Sequence, residues 1–266
     1  INLWPNAAQA YHRWIRTSVR DNKPYDQFAR ELLTSSGSNF RVGPVNFYRA
    51  MQNRDPQGIA QTVALTLMGT RADKWPTNEL AGFAAFFAQV GYKSTSEWKE
   101  EIVFWNPAAT NAPTVGVLPG GKQIHLTGDR DPRELFADWL IDPKNPWFTR
   151  NLVNRVWAWL LGRGIIHEPD DIRTDNPPSH PELLALLERE FVSSKYDLKQ
   201  LYRLILNSQT YQLASIPQSE KPGAAANFAA YPLRRLDAEV LIDALNQITS
   251  TTEKYSSPIP EPFTFI

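Results

Sequence analysis

Apolar residues recur at helical spacing through most of the chain. Ala7, Tyr11, Trp14, Ile15 and Val19 fall on one side of a first helix, with Asn6 as its expected N-cap. Asn22-Lys23-Pro24 breaks that pattern, and Pro24 stands near the first turn of a second helix carrying Tyr25, Phe28, Ala29, Leu32 and Leu33. The turn residues from Thr34 to Asn39 end it. A further helix is predicted from about Pro56 to Met68. Another, capped by Thr77, runs through Leu80, Phe83, Ala84, Phe87 and Ala88 until Gly91 stops it.

Between residues 98 and 127 the period shortens. Glu101–Trp105, Thr114–Leu118 and Gln123–Leu126 are short and rich in β-branched or aromatic residues, punctuated by Pro113, Pro119 and Gly120-Gly121. One small antiparallel β insert is expected there, with a hairpin at the glycine pair. Helices then return. Asp131-Pro132-Arg133-Glu134 reads as a helix start. Asn145-Pro146 opens the longest helix, with Leu152, Val153, Val156, Trp157 and Leu160 on one face, and Gly162-Arg163-Gly164 closes it. Ser179-His180-Pro181-Glu182 has the form of a capping box. Asp197 begins another helix, and a last one is expected from Pro232 through Ile248. The fold class this predicts is mainly α, with about nine helices and the one β insert.

Composition narrows the chemistry. The 266 residues hold 28 Lys+Arg against 28 Asp+Glu, so the formal charge is zero and no whole-protein footprint for nucleic acid is present. The absence of cysteine excludes disulfides, thiolate metal sites, thiol nucleophiles and c-type haem attachment. No apolar run is long enough to span a bilayer. Residues 217–226 are the one low-complexity stretch and read as a surface loop. The chain begins on Ile1 and ends in the apolar, Pro-rich run at Pro258–Ile266, which reads as a fragment of something longer.

Six motifs in the second half occur in a recognisable order: Asn154-Arg155-Val156-Trp157, Gly162-Arg163-Gly164-Ile165-Ile166, Pro169-Asp170-Asp171, Pro178-Ser179-His180-Pro181-Glu182-Leu183-Leu184, Tyr196-Asp197-Leu198-Lys199 with Ser208-Gln209-Thr210-Tyr211, and Arg234-Arg235-Leu236-Asp237-Ala238-Glu239. Over about residues 130–250 the chain resembles the C-terminal domain of unknown function of exported proteins from planctomycetes and their verrucomicrobial relatives. Asn22-Lys23-Pro24-Tyr25-Asp26-Gln27-Phe28 and Ala64–Arg71 resemble the companion domain that precedes it there. That companion is described as cytochrome-like, because many members carry Cys-x-x-Cys-His just after the Leu-x-x-Gly-x-Arg stretch. Here Arg71 runs straight into Ala72-Asp73-Lys74-Trp75-Pro76, and no His lies between His12 and His125. Covalent haem needs both thiols and the axial His, so the expectation is a haem-less branch with no cofactor. The resemblance implies a helical N-terminal domain over 1–97, a β linker over 98–128 and the domain of unknown function over 129–266, in a periplasmic or otherwise exported protein.

Candidate site residues each have a plain structural reading beside them. Arg155 can grip an anion bidentately or tie a helix end to Asp170 or Asp171, and the tie is favoured. Arg234 and Arg235 are expected at the start of the last helix, where the dipole disfavours them unless Asp237 or Glu239 compensates. The acidic run from His167 to Asn176 offers oxygen ligands but lacks the spacing of a calcium loop, so turn-making explains it and no metal site is expected. His180, with Asp170 or Asp171 near it, could form an acid–base pair. Trp75, Trp98 and Trp105 lie beside loops and strands and are the candidates for a surface that stacks on sugar rings. The leading expectation is an accessory, binding or scaffold protein of an extracytoplasmic complex linked to polysaccharide degradation. Its partner would be a protein or a polysaccharide, not nucleic acid. One alternative is a hydrolase acting on a carbohydrate or sulfated glycan around Arg155, Asp170, Asp171 and His180. The other is a haem-less docking partner of a redox protein.

Overall fold

The computed structural model describes residues 3–217, 221 and 223–252. The expected residues of the C-terminal Pro-rich run lie outside the described residues. Proline and acidic caps start many of the helices. α1 (Pro5–Arg20) has Pro5 in its first turn, and its N-cap is Trp4 rather than Asn6. α2 (Tyr25–Thr34) follows Pro24. β1 (Gly37–Ser38) and the short α3 (Asn46–Arg49) lead to α4 (Pro56–Val63), where Asp55 accepts from the Gly58 amide at 2.7 Å. The helix predicted over 56–68 therefore changes pitch: Ala64–Met68 is a π-helical turn that ends on Gly69 in the left-handed region (φ 64°). α5 (Thr77–Ala84) starts after Pro76, and Thr77 is its first residue, not its cap.

The β content corrects the single insert expected over 98–127. β2 (Val90–Ser94) begins before it, and Gly91, expected to stop a helix, is this strand's second residue. β3 (Glu101–Trp105) is the central strand of a three-stranded antiparallel sheet in the order β1-β3-β2, with Gly37 opposite Val103 and Tyr92 opposite the same residue on the other side. A separate hairpin joins β4 (Val115–Val117) and β5 (Gln123–His125) around the Gly120-Gly121 turn.

The second half is helical: α6 (Pro132–Leu140), α7 (Phe148–Leu161), α8 (Pro181–Ser193), α9 (Leu198–Leu206) and α10 (Ala238–Thr249). The Ser179–Glu182 capping box does not form. Ser179 Oγ donates to the Ile165 carbonyl at 3.0 Å, and His180 is the N-cap residue without a capping hydrogen bond. α10 begins at Ala238, six residues later than Pro232, and none of its residues is buried.

The two halves share one core. Phe136 of α6 is fully buried and meets Phe83, Phe86 and Phe87 at ring-centroid distances of 5.2, 5.8 and 5.4 Å. Such contacts add about 0.5–1.5 kcal/mol each beyond the area they bury. Tyr25 of α2 stacks on Phe148 of α7 at 5.3 Å, and its amide donates to the Tyr196 carbonyl at 3.1 Å. Arg133 is 1% exposed and holds the α2–β1 turn to α6: it donates to Asp131 (Nη2–Oδ2 2.7 Å), to the Ser35 carbonyl (3.1 Å) and to Ser36 Oγ (3.0 Å). No helix among the described residues is long and apolar enough to cross a membrane.

Candidate functional site

Asn151, Asn154 and Arg155 of α7 carry polar contacts from that helix to the segments around it. Asn151 and Arg155 lie one turn apart on that helix, so both side chains leave it on one face. That face meets the π-helical turn at Ala64–Met68, whose last carbonyls have no partner inside their own helix. Arg155 fills the gap: Nη1 donates to the Thr66 carbonyl at 3.0 Å and Nη2 to the Leu65 carbonyl at 2.7 Å. Asn151 Nδ2 also donates to the Thr66 carbonyl, at 2.9 Å. The third edge of the guanidinium reaches Asp170, with Nε to Oδ1 at 2.7 Å. A cation is well placed there, since it meets the negative end of a helix dipole as well as a carboxylate.

Gly69 makes this approach possible. Its positive φ is costly for a side chain, and a Cβ would sit 2.6 Å from Asn151 Oδ1 and 2.8 Å from Ile172 Cδ1. Its carbonyl accepts from the Ile172 amide at 2.8 Å. Further along, the Asn154 side chain pairs with both backbone groups of Ile166, at 2.9 Å each, fixing the loop that follows α7. Two stretches that carry the family resemblance, Ala64–Arg71 and Asn154–Asp171, thus touch each other directly.

Arg155 and Asp170 line an open cavity of about 500 Å³, together with Trp159, Arg163, His167 and Glu168. Asp171 and His180 do not line it. The Asp171 carboxylate pairs with Arg173 (3.0 Å), and its carbonyl accepts from Asn176 Nδ2 (2.9 Å). His180 Nδ1 lies 3.0 Å from Ser179 Oγ, and its ring is 5.6 Å from that of Phe228. The four residues proposed as a catalytic set are therefore divided: two share a cavity and two brace loops beside it. Among the described residues no Ser, Thr, Lys or Tyr lines the cavity, and the reactive groups on its wall are His167 and the carboxylates of Glu168 and Asp170. His167 Nε2 and Glu168 Oε1 are 3.1 Å apart.

The other candidates are placed as follows. Arg234 lies ahead of α10, and its partners are neither Asp237 nor Glu239. Its guanidinium donates to the Trp159 and Leu160 carbonyls at the end of α7, the latter at 2.9 Å. It also donates to the Tyr231 hydroxyl at 3.3 Å and holds that phenol below its ordinary value. Arg235 is exposed and has no hydrogen-bond or ion-pair partner among the described residues. Trp75 is half-buried against Phe83 at 5.6 Å, and Trp105, also half-buried, donates Nε1–H to Gln89 at 2.9 Å. Trp98 is 74% exposed and stands edge-on to Trp4 at 6.3 Å, with Lys99 Nζ 4.7 Å from its ring.

Four residues of the cavity were not among the site candidates of the sequence reading: Trp159, Arg163, His167 and Glu168. A signal existed for Trp159. It lies two positions beyond the buried Trp157, about 200° around the helix, so it had to face outward. Arg163 stood inside a helix-stop motif and carried no such sign.

No curated protein and no solved structure matches the chain. A family model does match, over residues 132–263, just under half of the chain and running from α6 past α10: this segment is similar to PSD1, a protein of unknown function (DUF1553), and is thereby assigned as a domain of unknown function.

Proposed function

We propose that the chain is a non-catalytic binding or scaffold module of an extracytoplasmic complex, linked to polysaccharide breakdown. Export and that pathway rest on the resemblance to exported proteins. The observation that carries the non-catalytic reading is the engagement of Arg155. All three edges of its guanidinium are held, two by backbone carbonyls of a neighbouring helix end and one by Asp170. A catalytic or substrate-gripping arginine needs donors directed at the ligand, and here they are directed at the fold.

One observation favours a second reading, a carbohydrate hydrolase. Glu168 and Asp170 place two carboxylates on one open cavity beside the 58%-exposed Trp159, and glycoside hydrolysis uses a carboxyl pair beside a sugar-stacking surface. Incubation of the purified chain with 4-nitrophenyl glycosides and 4-nitrocatechol sulfate separates the two. The expected result is no release above the buffer rate. Release that disappears in both Glu168→Gln and Asp170→Asn would establish the hydrolase and remove the scaffold reading.

A further inference from the structure

A second cavity, of about 620 Å³, opens on the other side of Arg163. The two cavities share Gly162, Arg163 and His167, but their chemistry differs. The first has the carboxylates of Glu168 and Asp170. The second has none among the described residues: its polar lining includes Arg163, His167, Lys221 and Ser215, and much of the rest is apolar or aromatic, including Leu161, Phe228 and Tyr231. Its volume lies in the range of small-ligand sites, roughly 300–1,000 Å³, and apolar walls with a few convergent polar groups are the usual make-up of such sites.

Arg163 is the unusual member. Its Nε is buried and has no hydrogen-bond partner, and the guanidinium makes no ion pair among the described residues. Both acidic residues of the neighbouring cavity are engaged elsewhere, Glu168 with His167 at 3.1 Å and Asp170 with Arg155 at 2.7 Å. Most other arginines near α7 have found an acceptor: Arg150 on Glu188, Arg155 on Asp170, Arg234 on the helix end. Arg163 is thus a permanent cation, half-buried on the wall of a cavity without carboxylates among the described residues, and its donors are free for the acceptor oxygens of an anion. Low-dielectric walls strengthen the field of a charge in such a cleft.

We propose that this cavity binds a small amphipathic anion, one carboxylate, sulfate or phosphate group on an apolar body, with the acid group on Arg163 and the body against Leu161 and Phe228. The planar fork of the guanidinium suits all three acid groups, and the apolar walls exclude the bare inorganic ion as the preferred ligand. The proposal rests on reading the chain as a binding module, yet the two fail separately. Turnover of a glycoside would remove that reading without touching Arg163. Absence of anion binding would leave the bracing by Arg155 as it stands.

Calorimetric titration with naphthalene-2-sulfonate, and with uncharged 2-naphthol as its partner compound, tests the site. One-to-one binding of the sulfonate is expected, at least tenfold tighter than 2-naphthol (about 1.4 kcal/mol), with that advantage lost in Arg163→Gln. Hydrogen exchange of the unmodified protein with and without the sulfonate reads the same site without a variant, and protection is expected in peptides covering 161–167 and 224–231. Failure of the sulfonate to saturate, equal binding of 2-naphthol, unchanged affinity in a folded Arg163→Gln, or protection confined to other peptides would overturn the proposal.

Discussion

Glu100 shows how a single side chain ties stability to pH. Its carboxylate is 7% exposed and accepts hydrogen bonds from Ser38 Oγ and, at 2.7 Å, from Thr95 Oγ1, with Arg41 3.6 Å away. The Ser38 bond and then the Thr95 bond hold it below its ordinary value of 4.5. A carboxylate depressed on folding binds its proton more weakly in the native state than in the unfolded one. Its stabilising share is therefore complete above the unfolded value and vanishes as pH falls through the folded one. Thermal midpoints of the wild type and Glu100→Gln, measured from pH 7 to pH 3, should differ most at pH 7 and converge below about pH 4. A gap that stays constant across that range would remove the carboxylate's charge as the cause. Arg133 belongs to another class. It is buried with Asp131, and removing one member of such a pair leaves a charge without compensation, typically at about 3–5 kcal/mol.

At the scale of the element, α7 is held at both ends by residues from outside its own span. Asn145 Oδ1 accepts from the Trp147 amide at 2.9 Å and the Phe148 amide at 3.2 Å, which starts the helix. Gly162, with φ 74° and its amide on the Ala158 carbonyl at 2.8 Å, ends it. Arg234 then donates to two of the carbonyls at the open end of the helix, those of Trp159 and Leu160. The adjacent Arg235 touches no such group. Arg234→Met should thus lower the thermal midpoint by about 1–4 °C, the effect of roughly 0.3–1 kcal/mol at a helix end, while Arg235→Met leaves it unchanged. Equal shifts in the two variants would mean that net charge, not the helix end, is responsible. The start and stop of α7 were legible because Asn, Pro and Gly act on their immediate neighbours. Arg234's role was not, because its partners lie about 75 residues away. Local patterns misled in the same way elsewhere. Ser179 has a capping box in its sequence, yet its hydroxyl answers the Ile165 carbonyl instead. Gly91 looks like a helix stop, yet Val90–Ser94 finds Glu101–Trp105 as a partner strand.

Across the whole molecule, the halves meet at a joint between α7 and the π-helical turn at Ala64–Met68. Periodicity placed most of the helices and the Gly120-Gly121 hairpin, since those depend on neighbours along the chain. It carried no information about which helix end Arg155 would meet, a contact between residues about 90 positions apart. The motifs near Ala64–Arg71 and Asn154–Asp171 look like separate signatures in the sequence, and in space they form one interlocked seam around Gly69, Asn151 and Arg155. Residues that close a seam and residues that perform chemistry respond oppositely to removal. Loss of a brace destabilises the fold, whereas replacement of a catalytic group leaves stability unchanged or raised. Equilibrium urea unfolding of Arg155→Met beside Asp170→Asn tests this most directly. Arg155→Met leaves the Leu65 carbonyl and the Asp170 carboxylate without their partner and the Thr66 carbonyl with Asn151 alone, three losses at once, and should lose about 2 kcal/mol or more. Asp170→Asn removes only a half-exposed pair and should lose less than about 1 kcal/mol. An Arg155→Met protein as stable as the wild type would contradict the assignment of Arg155 to the seam.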